Sequence, residues 1–203
     1  MRRSIPTLAA LAVLTTAAAA HPPKIVPPGE GEALAVPIHP VDKLLSGSEN
    51  GDGLAFYEFR VPPGSAGAPP HVHAHEDEFF YVASGRVTFL DRGEVIEAGP
   101  GTFAALTRDN AHAFWNAGKE EAVMLVAVSN GRFEDFFDAL SAEAAAQPPA
   151  GPEEAGAMIG RLAAERGIAI RMDLLPEEAA RFYGAPEEGR AVGAPRDGRH
   201  SPP

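Results

Sequence analysis

The chain has 203 residues, no cysteine and a formal net charge of −11. Such an acidic chain lacks the basic surface expected for nucleic acid or anionic membranes, so neither is predicted as a partner. Without cysteine there can be no disulfide bond, and a folded domain must depend on its hydrophobic core.

The N-terminus has the pattern of a secretory signal peptide over residues 1–20. Arg2 and Arg3 precede an apolar run, and small residues lead up to Ala20. This predicts cleavage near Ala20–His21, no membrane insertion afterwards, and a periplasmic or secreted protein. The paired arginines leave open whether export uses the general or the twin-arginine route. Residues 21–37 are predicted to be a flexible leader.

Short apolar stretches separated by turns dominate the next part of the chain, residues 38–131. Their spacing and their glycine-rich breaks predict an all-β barrel or sandwich. In the strand that ends at Val61, Tyr57, Phe59 and Val61 share one face and should point inward. Phe80, Phe89, Phe114 and Met124 are further candidates for the interior. The predicted strands are 41–45, 54–61, 78–82, 86–90, 94–97, 102–106, 111–115 and 122–128.

The pattern changes to helix after Gly131, which predicts a C-terminal helical extension over residues 132–184. Phe133, Phe136, Phe137 and Leu140 recur at helical spacing and should face the barrel. A second helix is predicted at about residues 153–166, ended by Gly167 in a left-handed conformation, and a short third one over residues 176–184. Residues 185–203, rich in Pro, Gly and charge, are predicted to be a disordered tail.

Three histidines and one glutamate have the spacing of a metal site. His71 and His73 are two residues apart, so on a strand both imidazoles project to the same side. Glu78 opens an apolar strand, where a carboxylate is unfavourable unless a cation meets it. His112 opens the aromatic strand that follows the next turn. The sequence therefore predicts that these four side chains bind one metal ion.

Around these residues the sequence resembles the cupin family. The first cupin motif, G(X)5HXH(X)3-4E(X)6G, is matched from His71 to Gly85, with Ser65 in place of the first glycine. The second motif, G(X)5PXG(X)2H(X)3N, is matched by Gly101, His112 and Asn116, with Thr107 and Asp109 in place of the proline and the second glycine.

A finer resemblance is to single-domain cupins of the quercetin 2,3-dioxygenase type. It covers roughly residues 38–140, including the runs PPHVHAHEDEFFYVASG and GRFEDFF. The resemblance implies a jelly-roll β-barrel, the double-stranded β-helix, with one divalent transition metal held by His71, His73, Glu78 and His112. Nitrogen and oxygen donors suit Fe, Mn, Ni, Cu or Zn and do not choose among them.

The function implied by this resemblance is that of an oxygen-dependent dioxygenase acting on a flavonol-like or other phenolic or enolic small molecule. Glu78 would be both metal ligand and catalytic base. Two alternatives are another metal-dependent cupin enzyme, such as an isomerase or another small-molecule oxygenase, and a non-catalytic periplasmic module that binds a small molecule or a metal. A homodimer is possible.

The other histidines are assigned more ordinary roles. His75 lies in a polar turn with Glu76 and Asp77, and is a weak candidate for an alternate ligand. His39 and His200 have no partner in the sequence and are predicted to be surface residues. Asn116, four residues after His112 on the same face, is predicted to seal the end of the barrel.

Overall fold

The computed structural model describes residues 21–129 and 132–184, which form two antiparallel sheets followed by helices. The strands are β1 (Glu32–Leu34), β2 (Val41–Leu45), β3 (Ala55–Val61), β4 (Ser65–Ala66), β5 (His71–His73), β6 (Glu78–Ser84), β7 (Val87–Asp91), β8 (Glu94–Ala98), β9 (Phe103–Leu106), β10 (His112–Asn116), β11 (Ala122–Val128) and β12 (Ile168–Ile170). The helices are α1 (Arg132–Ala146), α2 (Pro152–Ala164) and α3 (Glu177–Ala180), with short 3-10 helices at Gly47–Glu49 and Met172–Leu174.

The two sheets face each other and enclose the core. One has the strand order β1-β2-β3-β11-β6-β9, and the other has the order β12-β5-β10-β7-β8, with β4 paired to β10. Neighbours in both sheets are antiparallel, and many are distant in sequence, as in a jelly roll. The predicted jelly-roll barrel with C-terminal helices is confirmed.

Alternation along the long strands determines which side chains enter the core. In β3, Tyr57, Phe59 and Val61 are buried, while Phe56, which directly precedes Tyr57, is exposed. β11 has the same alternation and pairs with β3 over its full length. The other residues predicted for the interior are buried as well: Phe80, Phe89, Phe114 and Met124.

The aromatic strand β10 is buried on both of its faces. His112, Phe114 and Asn116 point into the barrel, so Ala113 and Trp115 point outward. A second apolar cluster, which includes Ala179 of α3, covers this outer face. The Tyr183 hydroxyl lies 2.9 Å from the Ala68 carbonyl oxygen and 2.7 Å from that of Phe114, and donates its hydrogen to them. These hydrogen bonds hold the segment after α3 against the barrel.

The structure differs from the sequence-based assignments in several elements, and the short strand β4 is one that was not predicted. β1 lies in the segment predicted to be a flexible leader and pairs with β2. β12 lies in the predicted helical extension and pairs with β5, so the second sheet takes its last strand from beyond α2. The third helix ends at Ala180, short of Gly184. The predicted signal peptide and C-terminal tail lie outside the described residues.

Helices α1 and α2 close one end of the barrel. The predicted apolar face of α1 is confirmed, since Phe133, Phe136, Phe137 and Leu140 are buried in the main core. Gly167, after α2, has the left-handed conformation predicted for it, with φ of +77°. Within the described residues, no helix has the length and apolar character that crossing a membrane requires.

Candidate metal centre

The four predicted ligands come together inside the barrel. His71 and His73 lie on β5, Glu78 opens β6, and His112 opens β10 directly across from His71. One nitrogen or oxygen atom from each of the four side chains lies within 4.8 Å of the others, and all four residues are buried. Since β5 and β10 are neighbours and β6 belongs to the facing sheet, the site lies between the two sheets.

Glu78 is the centre of this cluster. Its Oε2 atom lies 2.8 Å from Nε2 of His112, 3.3 Å from Nε2 of His73 and 3.6 Å from Nε2 of His71. The His73 Nε2 atom is buried and makes no hydrogen bond within the described residues, although Glu78 is so near. An unsatisfied buried nitrogen among three other donors fits a metal ion that completes its contacts. The cluster can therefore hold one metal ion.

The opposite ring nitrogen of each histidine is held by an acceptor of the protein. Nδ1 of His71 donates to the Pro69 carbonyl oxygen at 2.7 Å, and Nδ1 of His112 donates to that of Asn110 at 3.0 Å. Nδ1 of His73 lies 3.3 Å from the Oε2 atom of Glu76. Such acceptors fix the proton on Nδ1 and leave Nε2 as the ligand atom. Contacts within the protein therefore leave the three Nε2 atoms available to coordinate a metal ion.

The pKa values of these side chains reflect burial and mutual attraction. Burial alone would raise the pKa of Glu78, but attraction by His73 and the close approach of the other two histidines lower it well below its ordinary value. Burial also lowers the pKa of His71 to about 4. For His73, burial is outweighed by the charges of Glu78 and Glu76, and its pKa is raised to about 9. The Glu78 carboxylate is therefore kept ionised, ready to face a cation.

Hydrogen bonds join the turn between β5 and β6 to the turn that precedes β10, and both turns lie next to metal-site residues. The Asp109 amide donates to the His73 carbonyl oxygen at 2.9 Å, and the Arg108 amide and guanidinium both donate to Asp77. Asp109, which stands where the cupin motif has a glycine, has φ of +64°. Aspartate is among the few residues that adopt this left-handed conformation readily, so the substitution preserves the turn.

The remaining sequence-based assignments have mixed outcomes. His75 is exposed and is not part of the cluster. Asn116 seals the barrel end as predicted, since its amide donates to the carbonyl oxygens of Val61 and Glu120 and accepts from the Gly118 amide. His200 lies outside the described residues.

The prediction that His39 is a surface residue is wrong. It is 6% exposed, and its ring centroid lies 5.1 Å from that of Phe59 and 5.7 Å from that of Phe114. Burial lowers its pKa to about 4. The segment before β2 packs against these two core rings, and the histidine is covered as a result. In the sequence, the apolar residue Ile38 directly before His39 is the feature that could have suggested this burial.

Sequence reasoning also missed Glu76. It was read as part of a polar turn, but its exposed fraction is 0%. The run Glu76-Asp77-Glu78 has no helical or strand period that would mark one of its members as buried. The folding of the turn brings Glu76 against His73, and that contact is not encoded by a local pattern.

A small apolar cavity adjoins the cluster. Its volume is about 60 Å³, and His71 and Glu78 form part of its wall. The rest of the wall comes from the segment before β2, from the barrel and from the C-terminal region, and includes His39, Phe59, Phe114, Phe133, Phe137 and Ile159. The metal centre is thus enclosed by aromatic and aliphatic side chains and faces little water.

A family model for the cupin domain matches residues 57–128, the stretch that contains all four clustered side chains. Residues 57–128 form a cupin domain. No curated protein matches the chain. The regions on either side of the cupin domain, including α1, α2 and α3, lie outside the matched residues, although α1 and α2 help to form the cavity.

Several solved structures are similar to the chain. A sugar phosphate isomerase from a cupin superfamily, from Silicibacter pomeroyi, is 26% identical over 47% of this chain and 62% of its own, with a TM-score of 0.41. The polyketide cyclase RemF from Streptomyces resistomycificus is 25% identical over 52% and 78%, with a TM-score of 0.45. A predicted oxalate decarboxylase from Thermotoga maritima is 26% identical over 45% and 79%, with a TM-score of 0.41. These TM-scores are all below 0.5, so nothing about this chain's reaction follows from them.

Proposed function

We propose that this protein is a metal-dependent dioxygenase that acts on a phenolic or enolic small molecule. The observation that carries the proposal is the buried cluster of His71, His73, Glu78 and His112, in which His71 and Glu78 line an apolar cavity. A divalent metal in such a site supplies a Lewis acid with open coordination positions for substrate oxygen or dioxygen. Iron, manganese, nickel, copper and zinc all suit the donor set.

The size of the cavity supports dioxygen as one of its occupants. A cavity of about 60 Å³ is large enough for a molecule the size of water or dioxygen. Pockets for drug-sized ligands usually measure roughly 300–1,000 Å³. A flavonol-sized molecule therefore cannot occupy this cavity as it stands.

A larger cleft lies directly outside the cavity and suits the organic substrate. Its volume is about 960 Å³, and Gly151, Arg181 and Tyr183 are among the residues that line it. The two spaces share four lining residues, Ile38, Pro69, Ile159 and Ile170. In this proposal the substrate enters by the cleft, and the side chains of the shared wall move to let its hydroxyl group approach the metal centre.

The proposal gives the protein residues three tasks. The histidines hold the metal through Nε2, and the aromatic side chains of the cavity exclude water and favour an apolar ring. Glu78 is a ligand and also the candidate acceptor of the substrate's hydroxyl proton. The low pKa of Glu78 makes it a weak base, so its role as a ligand has the stronger physical support.

Oxygen uptake tests the proposed reaction. Protein loaded separately with each candidate metal is supplied with a panel of phenolic and enolic compounds in an oxygen electrode, and His75→Ala protein is the matched control for a variant lacking the ligand His71. The proposal expects substrate-dependent uptake that the ligand variant loses and the control retains. Conversion without oxygen uptake would instead indicate another metal-dependent enzyme, and tight binding without turnover would indicate a binding module.

Glu78→Gln separates the two roles of this residue. The amide keeps an oxygen donor of similar shape but loses the basic carboxylate. If Glu78 is the base, turnover per bound metal should fall by about 10²-fold or more, the usual scale of general-base catalysis. Full turnover per bound metal would leave Glu78 as a ligand alone and assign the proton transfer to another group or to the substrate's own ionisation.

A further inference from the structure

Glu76 is a second buried carboxylate beside the metal centre. It lies in the turn between β5 and β6 with an exposed fraction of 0%. Its Oε2 atom lies 3.3 Å from Nδ1 of His73, and within the described residues its Oε1 atom has no hydrogen-bond partner. A fully buried carboxylate is costly unless a positive charge compensates it. Among the described ion pairs, His73 is its partner.

The folding of the turn accounts for the burial of Glu76. The Ala74 amide donates to the Gly167 carbonyl oxygen at 3.1 Å, which ties the start of the turn to the residue that precedes β12. At the other end, the Asp77 amide donates to Oγ of Ser129 at 2.8 Å, and the Ser129 amide donates back to the Asp77 carbonyl oxygen at 3.0 Å. Glu76 lies between these two anchors, so its side chain is directed inward beside His73.

His73 is distinguished from the other two histidines by this contact. His71 and His112 have neutral backbone carbonyl oxygens as their Nδ1 acceptors, whereas His73 has a carboxylate. A carboxylate acceptor makes an imidazole a stronger metal ligand, and it fixes the ring orientation as well. The three histidines are therefore not equivalent donors.

We propose that Glu76 is a positioning residue that makes His73 the strongest imidazole ligand. Its negative charge, added to that of Glu78, balances the charge of a divalent metal ion in the buried centre. With neutral histidines, the carboxylates of Glu78 and Glu76 carry two negative charges, which a divalent ion neutralises. A site without Glu76 would retain a net positive charge in an apolar interior, which is unfavourable. This inference rests on the proposed metal site but not on the proposed dioxygenase reaction.

Metal affinity tests the role of Glu76 independently of turnover. Zn(II) and Co(II) are titrated into metal-free protein in competition with a chromophoric chelator, for the wild type, Glu76→Gln and the matched control Asp77→Asn. The control loses a carboxylate from the same turn but keeps an acceptor for the Arg108 amide. We expect Glu76→Gln to bind about 10- to 100-fold more weakly, the usual effect of removing such a carboxylate. Asp77→Asn should bind nearly as the wild type does.

The absorption spectrum of bound Co(II) separates positioning from a merely structural role. A change in His73 as a ligand should shift the visible bands of Glu76→Gln while its far-ultraviolet circular dichroism stays unchanged, and Glu76→Asp should recover part of the affinity. Wild-type affinity and spectrum in Glu76→Gln would overturn the proposal, and so would equal weakening in Asp77→Asn. Failure of the wild type itself to bind either ion would instead refute the metal site on which the proposal rests.

Discussion

The acceptors of the three Nδ1 atoms determine how the ligand histidines are presented. Two of these acceptors are backbone carbonyl oxygens only two residues away from the histidine, those of Pro69 and Asn110. The ring orientation is therefore determined by the same short segments that place the ligands on their strands. This arrangement reduces the entropy that metal binding would otherwise have to overcome.

Single substitutions should show that His71 and His112 retain the metal ion and that His75 does not contribute to its retention. His71→Ala and His112→Ala each remove one of four donors, and we expect both to lose most of their metal on dialysis against a chelator. His75→Ala should keep its metal, because His75 is exposed and outside the cluster. Metal content per chain, measured by mass spectrometry of the elements, checks this. Equal loss from all three variants would contradict the ligand assignment.

At the residue scale, sequence spacing predicted which side chains meet but not what surrounds them. The two-residue period of a strand is sufficient to place His71 and His73 on one face. By contrast, the burial of Glu76 depends on hydrogen bonds to Gly167 and Ser129, which are distant in sequence. No local pattern encodes such contacts, so Glu76 was assigned to a polar turn.

At the scale of elements, the C-terminal helices are part of the candidate site. α1 contributes Phe133 and Phe137 to the cavity, and α2 contributes Ile159. The helical period of the phenylalanines predicted α1 and its buried face. The three-residue strand β12 was not predicted, because its pairing with β5 spans nearly a hundred residues of sequence and three residues are too few for a period to be detected.

Ile159 offers a test of the wall between the cavity and the cleft. Ile159→Ala should destabilise the protein by roughly 2–5 kcal/mol and should also join the two spaces. We therefore expect faster removal of bound metal by an apolar chelator such as phenanthroline. Leu162→Ala is the matched control, since Leu162 is a buried residue of the same helix that lines neither space.

The comparison between these two variants distinguishes a change in chelator access to the metal from a change in the stability of the fold. Both lose a buried aliphatic side chain of α2, so chemical denaturation should show similar destabilisation. Faster metal extraction in Ile159→Ala alone would support the cleft as the route of entry. Equal extraction rates at equal stability would contradict it, and the substrate would then need another path to the centre.

At the scale of the whole molecule, the segment before β2, the barrel and the C-terminal helices all meet around the cavity. His39 shows this convergence, because it comes from the N-terminal segment and packs on Phe59 of one sheet and Phe114 of the other. The overall barrel followed from strand spacing and motif, but this convergence did not, since it depends on how segments outside the cupin domain fold over its end.

The buried His39 should make folding stability depend on pH in the weakly acidic range. Burial lowers its pKa from 6.5 to about 4 in the folded state, so the fold favours the neutral ring. The unfolded chain takes up a proton as the pH falls below 6.5, and the folded chain does so only near pH 4. Stability attributable to His39 is thus present above pH 6.5 and is lost progressively as the pH falls towards 4.

Replacement of His39 by phenylalanine, which keeps a ring against Phe59 and Phe114, should remove this dependence. Between pH 7 and pH 5 the wild type should lose about 2 kcal/mol more of its free energy of unfolding than His39→Phe does. Urea denaturation at a series of pH values measures the difference, with the metal state held constant. His75→Asn, a change at an exposed histidine away from Phe59 and Phe114, is the control substitution. If the curves of His39→Phe and the wild type run parallel from pH 7 to pH 5, the folded protein must accommodate a charged His39, and the packing of the N-terminal segment against the two core rings must be looser than the structure has it.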